Sequence, residues 1–341
     1  MNKIIIVSIA VLANILLVSL RYEDATYVFN ENTPIAATLE KLGDQPNAKP
    51  DMSIKGVSAE AGKELMLYGI TKGPKGKKVS KQSKHFVCTS CHNVVKEDPD
   101  LRSADPQARL IYAKENGLPF LQGTTLYGAV NRTSFYNGDY EKKYGDLVKP
   151  ARNNIREAIQ LCAVECSQGR PLKEWEMESV LAYLWTLELK MGDIQINEED
   201  AQEISDAVNG GGNKKDAVNL LKSYYLQGSP ATFVRPPDNR RSGFEDIQAN
   251  PENGKLVYDL SCLHCHEEGR YAFFKLDDSK YTFKHLDKHI PRYTRYSMYQ
   301  VSRWGTSPMA GKETYMPNYT LERLSNQQLE DLRAYIEQKA D

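Results

Sequence analysis

Net charge is almost absent from this chain. Its 44 Lys and Arg stand against 45 Asp and Glu, and neither end carries a polybasic tail. That balance offers a polyanion nothing to hold, so nucleic acid is not an expected partner. Long apolar runs are missing after Leu20, which excludes a polytopic membrane protein, and the composition is not that of a disordered chain. Cysteine is limited to six residues. In an exported chain three disulfides would be the first expectation. Here, however, four of the six fall in two short motifs, Cys88-Thr89-Ser90-Cys91-His92 and Cys262-Leu263-His264-Cys265-His266, leaving only Cys162 and Cys166 apart. Methionine, finally, is missing between Met66 and Met177.

Export is read from the N-terminus. Met1-Asn2-Lys3 precedes the apolar run Ile4 to Leu20, and Arg21, Glu23 and Asp24 follow it. A basic start with an acidic distal flank places everything after Leu20 outside the cytoplasm. The run has 17 residues and at ~1.5 Å each spans roughly 26 Å, a short membrane crossing. A signal cleaved near Val11-Leu12-Ala13 and an uncleaved inner-membrane anchor both stay open. The expected location is periplasmic or extracytoplasmic, with the membrane reached only through that anchor. At 341 residues the working count is two domains. The expected boundaries are 1–21 signal or anchor, 22–50 extended linker, 51–191 first domain, 192–249 insertion and 250–341 second domain.

The two pentapeptides carry the chemistry. Haem c is attached by thioether bonds from two cysteines, and the adjacent histidine ligates the iron. Cys88, Cys91 and His92 therefore predict one covalent haem, and Cys262, Cys265 and His266 a second. Zinc is the competing reading, but the paired Cys-x-x-Cys elements of a zinc ribbon lie a few tens of residues apart. Here they lie 174 residues apart. A disulfide redox motif does not call for the histidine.

The context repeats as well. Gly62-Lys63 and Tyr68 precede the first motif as Gly254-Lys255 and Tyr258 precede the second, with Ser58 a predicted N-cap. Downstream, Leu324, Leu329, Leu332, Tyr335 and Ile336 trace one helical face behind a Ser325/Gln328 capping box. Leu172, Met177, Val180, Leu181, Leu184 and Leu187 trace the same kind of face in the first half. Leu172 lies ten residues before Ala182-Tyr183-Leu184, and Leu324 ten before Ala334-Tyr335-Ile336. One module used twice is the reading. The expected fold is mostly α: two class I cytochrome c-like domains, each a small helical bundle around one haem, joined by an insertion of one or two helices.

The modules differ in what can face the iron opposite histidine. In the second, Met316-Pro317 lies fifty residues after His266 and just ahead of the final helix. Met316 is the candidate distal ligand and Met309 the reserve. His285 and His289 share a helical face but have little else to recommend them. The first module has no methionine in that loop, only Cys162 and Cys166. A thiolate ligand, a Cys162–Cys166 disulfide, a buried free thiol and His85 on the iron all remain open.

From Cys162 to Leu172 the sequence Cys-Ala-Val-Glu-Cys-Ser-Gln-Gly-Arg-Pro-Leu, followed by Ala182-Tyr183-Leu184, resembles the thiosulfate dehydrogenases. These are two-haem periplasmic cytochromes related to the haem subunit of the sulfur-oxidising Sox system. The likeness covers about residues 51 to 191 and 250 to 341. Glu165, Cys166 and Gln168 depart from the family's Arg, Ser and Asn. The resemblance implies that Cys162 ligates the first haem and that two thiosulfates are joined to tetrathionate. It also implies a small anionic sulfur substrate, with another cytochrome or an oxidase accepting electrons. A dianion needs cations around it, and Arg132, Arg152, Arg156 and Arg170 cluster in sequence near the loop. A thiolate lowers one haem's potential and a thioether raises the other's, so electrons should run from first to second. The six lysines between Lys72 and Lys84 read either as a docking patch, as a funnel for anions, or as a solvated loop. A non-enzymatic electron carrier is the competing function. A dihaem peroxidase ranks third, because no distal acid or base is recognisable.

Overall fold

Two close helix crossings, one in each half, organise the chain. In the computed structural model, which describes residues 27–46, 48–307 and 315–341, the helices are α1 (Ile35–Leu42), α2 (Ala59–Tyr68), α3 (Pro106–Glu115), α4 (Gly138–Tyr144), α5 (Ile155–Leu161), α6 (Glu174–Trp185), α7 (Glu198–Val208), α8 (Lys214–Ser223), α9 (Pro251–Val257), α10 (Leu263–His266), α11 (Lys280–His289), α12 (Met298–Trp304) and α13 (Asn326–Ala340). The architecture is mostly helical. Among the described residues β structure is limited to isolated bridges. The export segment and Met309 lie outside the described residues.

Local chemistry sets the ends of the crossing helices. Ser58 caps α2, its hydroxyl accepting from Ala61 N at 3.1 Å, which satisfies one of the four N–H donors a helix start leaves unpaired. Ser325 and Gln328 form the expected capping box at 3.1 and 3.0 Å. The apolar stripe of α6, with Val180, Leu181 and Leu184 buried, packs on α2; that of α13, with Leu329, Leu332, Tyr335 and Ile336 buried, packs on α9. Both crossings depend on a missing side chain. A Cβ on Gly62 would overlap the carbonyl oxygen of Ser179, and one on Gly254 would overlap that of Asp331. Ser179 and Asp331 are equivalent positions in the repeat read from sequence, so the same crossing is built twice in the same register.

The remaining packing departs from the sequence boundaries. Residues 22–50, expected as an extended linker, contain α1, in which Ile35 is fully buried. Its apolar face meets α7 and α8, and Leu189, Met191, Ile204 and Leu221 complete a third core. The insertion thus has its two helices, but they fold against the N-terminal segment. The two halves also interlock. Leu110 of α3 and Phe120, both fully buried, belong to the core of the second half, where Phe120 N donates to Leu260 O at 2.8 Å.

Candidate functional site

The fold brings the two Cys-x-x-Cys-His motifs together. Cys265 lies close enough to Cys91 to raise its pKa, and both line one cavity of about 110 Å³. His264, between the second pair of cysteines, reaches the backbone of Ser90 in the first motif. The cavity wall also holds Cys262, His266 and Met316, with Phe274, Tyr319 and Leu324 among its apolar surfaces. Its mainly apolar lining with a few convergent polar groups is that of a cofactor site.

Both motif histidines are seated alike. His92 Nδ1 lies 2.7 Å from Thr124 O, and His266 Nδ1 lies 2.6 Å from Phe274 O. A carbonyl oxygen only accepts, so Nδ1 carries the hydrogen and Nε2 keeps its lone pair. Burial lowers the pKa of both rings, which favours their neutral form. A neutral imidazole with Nδ1 tied to a carbonyl is the form that ligates a metal, its tautomer and orientation fixed by the second bond. Burial also pushes the Cys88 and Cys265 thiols up to about 11 and Cys262 to about 12. None of the six cysteines is in a disulfide. Among the described residues no three His, Cys, Asp or Glu side chains converge as ligands of a bare ion.

Cys162 and Cys166 lie on one π-turn that continues α5, where Ser167 N bonds back to Cys162 O at 2.8 Å. A π-turn inside a helix frequently marks a functional site. The wider turn brings the two thiols together. A hydrogen bond to Cys162, and then burial, raise the Cys166 pKa well above the ordinary thiol value, so Cys166 keeps its proton. Cys166 in turn bears on His92. The turn is fixed from outside by residues the sequence did not single out. Gln82 Nε2 donates to Ala163 O at 2.7 Å and to Arg170 O at 3.0 Å, and Ser83 Oγ to Ser167 O at 2.5 Å. Tyr315, next to Met316, donates to Cys166 O at 2.7 Å. Tyr136 stands against both thiols. The lysine-bearing segment 72–84 is therefore anchored at its distal end to the thiol turn. His85 N donates to Ser83 Oγ at 3.0 Å.

Each of the four arginines is engaged with a carboxylate or a carbonyl. Arg152 pairs with Glu141 at 2.9 Å, Arg156 with Glu178 at 2.6 Å, and Arg170 with the buried Glu176 at 2.6 Å. Arg132 donates to Thr125 O at 3.1 Å and lines a separate cavity with Asp98, Glu322 and Arg323. The His285 and His289 rings lie 4.6 Å apart in a tilted arrangement, and His289 Nδ1 pairs with Thr294 Oγ1 at 3.0 Å. Among the described residues no helix is long and apolar enough to cross a membrane. No family model matches the chain, and no curated protein or solved structure matches it either.

Proposed function

We propose that this chain is an extracytoplasmic two-haem c-type cytochrome that works in electron transfer, built from two class I cytochrome c-like domains. Cys88 and Cys91 would bind one haem c, with His92 as its ligand; Cys262 and Cys265 would bind the other, between His266 and Met316. The observation that carries the reading is the pair of half-buried histidines, each directly following its Cys-x-x-Cys and each tied at Nδ1 to a carbonyl. When bound, the haems supply two one-electron iron centres.

The chain's own residues then divide the work. Thr124 and Phe274 orient the two imidazoles, which burial keeps neutral, while Met316 offers an uncharged sulfur in the cavity that holds His266. On the first side the sulfur is Cys162, supported by the resemblance and by the neutral Cys166 thiol that hydrogen-bonds to it. We take the reaction to be oxidation of a small sulfur anion such as thiosulfate at this first site. Joining two thiosulfates to tetrathionate forms one S–S bond and releases two electrons and no proton, which a one-electron acceptor, another cytochrome or an oxidase, would collect singly. A non-enzymatic carrier is the second reading, favoured by the engagement of all four arginines with carboxylates or carbonyls.

A pyridine haemochrome measurement on the denatured protein tests the first part, with two haems per chain expected; one or none would sink it. Mixing oxidised protein with thiosulfate and following haem reduction tests the second. Reduction that disappears in Cys162→Met supports the enzyme, and no reduction at any thiosulfate concentration leaves the carrier.

A further inference from the structure

We propose that the buried Glu97–Arg323 ion pair is the positioning device for His92, so that a side chain of the second half sets the orientation of the first half's iron ligand. The proposal rests on the haem reading above.

The seat of His92 is the loop from Leu121 to Thr125. Its fourth carbonyl, Thr124 O, takes the Nδ1 hydrogen at 2.7 Å. The neighbouring polar groups on both sides are clamped. Arg323 donates to Leu121 O through Nη2 at 2.8 Å and Nε at 3.2 Å, and through Nη2 to Gly123 O at 2.7 Å. Its Nη1 meets Glu97 Oε1 at 2.8 Å. That same oxygen accepts from Thr125 N at 2.8 Å, and Glu97 Oε2 accepts from Asn93 Nδ2, next to His92, at 2.8 Å. Arg132 holds Thr125 O. Arg109, stacked 3.7 Å above the Phe120 ring, holds Leu121 O and Arg323 O. The loop has no slack against the imidazole. A Cβ on Gly123 would sit 2.5 Å from both Nδ1 and Cε1 of His92.

Such a pair is an expensive way to gain stability. The side chains of Arg323 and Glu97 are 7% and 1% exposed, and removing two charges from water costs about what their attraction returns. What the arrangement does provide is direction. Four of its bonds end on the loop that fixes one ring, and groups outside a metal's first ligands set its affinity and electronics. The second histidine supplies an internal comparison. His266 rests on Phe274 O eight residues along its own loop, which is further held by Tyr271 N on Cys265 O and Leu276 N on His266 O. Its seat is local, whereas that of His92 is made across 226 residues of chain.

Arg323→Lys separates positioning from charge and from bulk stability, since it keeps the cation but loses the fork. The holoprotein is measured by potentiometric titration and low-temperature EPR, with haem content as control. Loosening the Nδ1 bond makes His92 a weaker donor. The first midpoint potential should therefore rise by about a tenfold change in the one-electron equilibrium, which is 59 mV. The first ferric signal should shift or split while the second centre does not move. The double variant Glu97→Gln with Arg323→Gln removes both charges together and carries the test if Arg323→Lys does not accumulate; the same selective change is expected. Two haems with unaltered potentials and EPR signals, alongside only a lower melting temperature, would overturn the proposal. Equal shifts at both centres would overturn it too. A wild-type chain without haem would overturn both this inference and the function on which it rests.

Discussion

At Cys162 and Cys166 four residues of sequence separate two sulfurs with different roles. Cys166 retains its proton through the bond to Cys162 and through burial. Cys162→Ser is expected to remove the thiolate signature from the EPR spectrum and to raise the first potential. Cys166→Ser keeps a donor at the same place and should leave the ligation intact. The reverse pattern would transfer the ligand role to Cys166. Gly123→Ala probes the other side of the same centre. The added methyl would meet the His92 ring, and the expected result is loss or heterogeneity of the first low-spin signal with both haems still attached. The two motifs, Ser58, the Ser325 cap and Met316 were legible in the sequence because each is a local pattern. Gln82, Ser83, Glu97 and Arg323 were not. Their partners lie 81, 84, 28 and 226 residues away, and no local spacing encodes such a contact.

Among elements, the helix crossings were the most readable and the thiol turn the least. The repeated Gly-Lys and the Ala-Tyr-aliphatic steps fix which residues meet, and Gly62 with Ser179 and Gly254 with Asp331 follow. Because the obstacle at each crossing is a backbone oxygen, no rotamer change relieves it. Gly254→Ala should lower stability by about 1–3 kcal/mol, the ordinary cost of overpacking. Ser325→Ala should cost about 1 kcal/mol through the lost cap. Thermal unfolding of both variants checks the order; a Gly254→Ala protein as stable as wild type would mean that α9 and α13 are not in this register. The π-turn escaped the sequence because an i, i+4 cysteine pair implies an α-helix, in which the two sulfurs reach each other poorly. Helix α1 escaped for a different reason. Eight residues are too few to form a helix alone, and its partners lie in the insertion.

For the whole molecule, the joint between the halves is an ionic one with a pH dependence of its own. Burial raises the Glu97 pKa, but Arg323 and Arg109 outweigh it and hold the carboxyl down to about 2. Asp98 has no such pairing; burial, then Glu97, push it up to about 6. The native state therefore binds a proton at Asp98 that the unfolded chain has released, from about pH 6 down to the ordinary value of 3.8. Stability from this group grows as pH falls through that window. Glu97 works oppositely, with its contribution present above 4.5 and lost as pH falls toward about 2. Asp98→Asn should accordingly be more favourable, relative to wild type, at pH 7 than at pH 4. Urea midpoints at the two values check it, and a difference independent of pH would show that Asp98 is not shifted. The interlocking of the halves also has a meaning in time. A chain made from its N-terminus presents α1 long before α7 and α8 exist to cover it, and α2 before Ser179 can meet Gly62. Leu110 and Phe120 wait longer still, for a core closed only by the last helix. Folding of this molecule is therefore deferred until α13 has been made, and until then Cys88 and Cys91 remain within reach of any enzyme that acts on them.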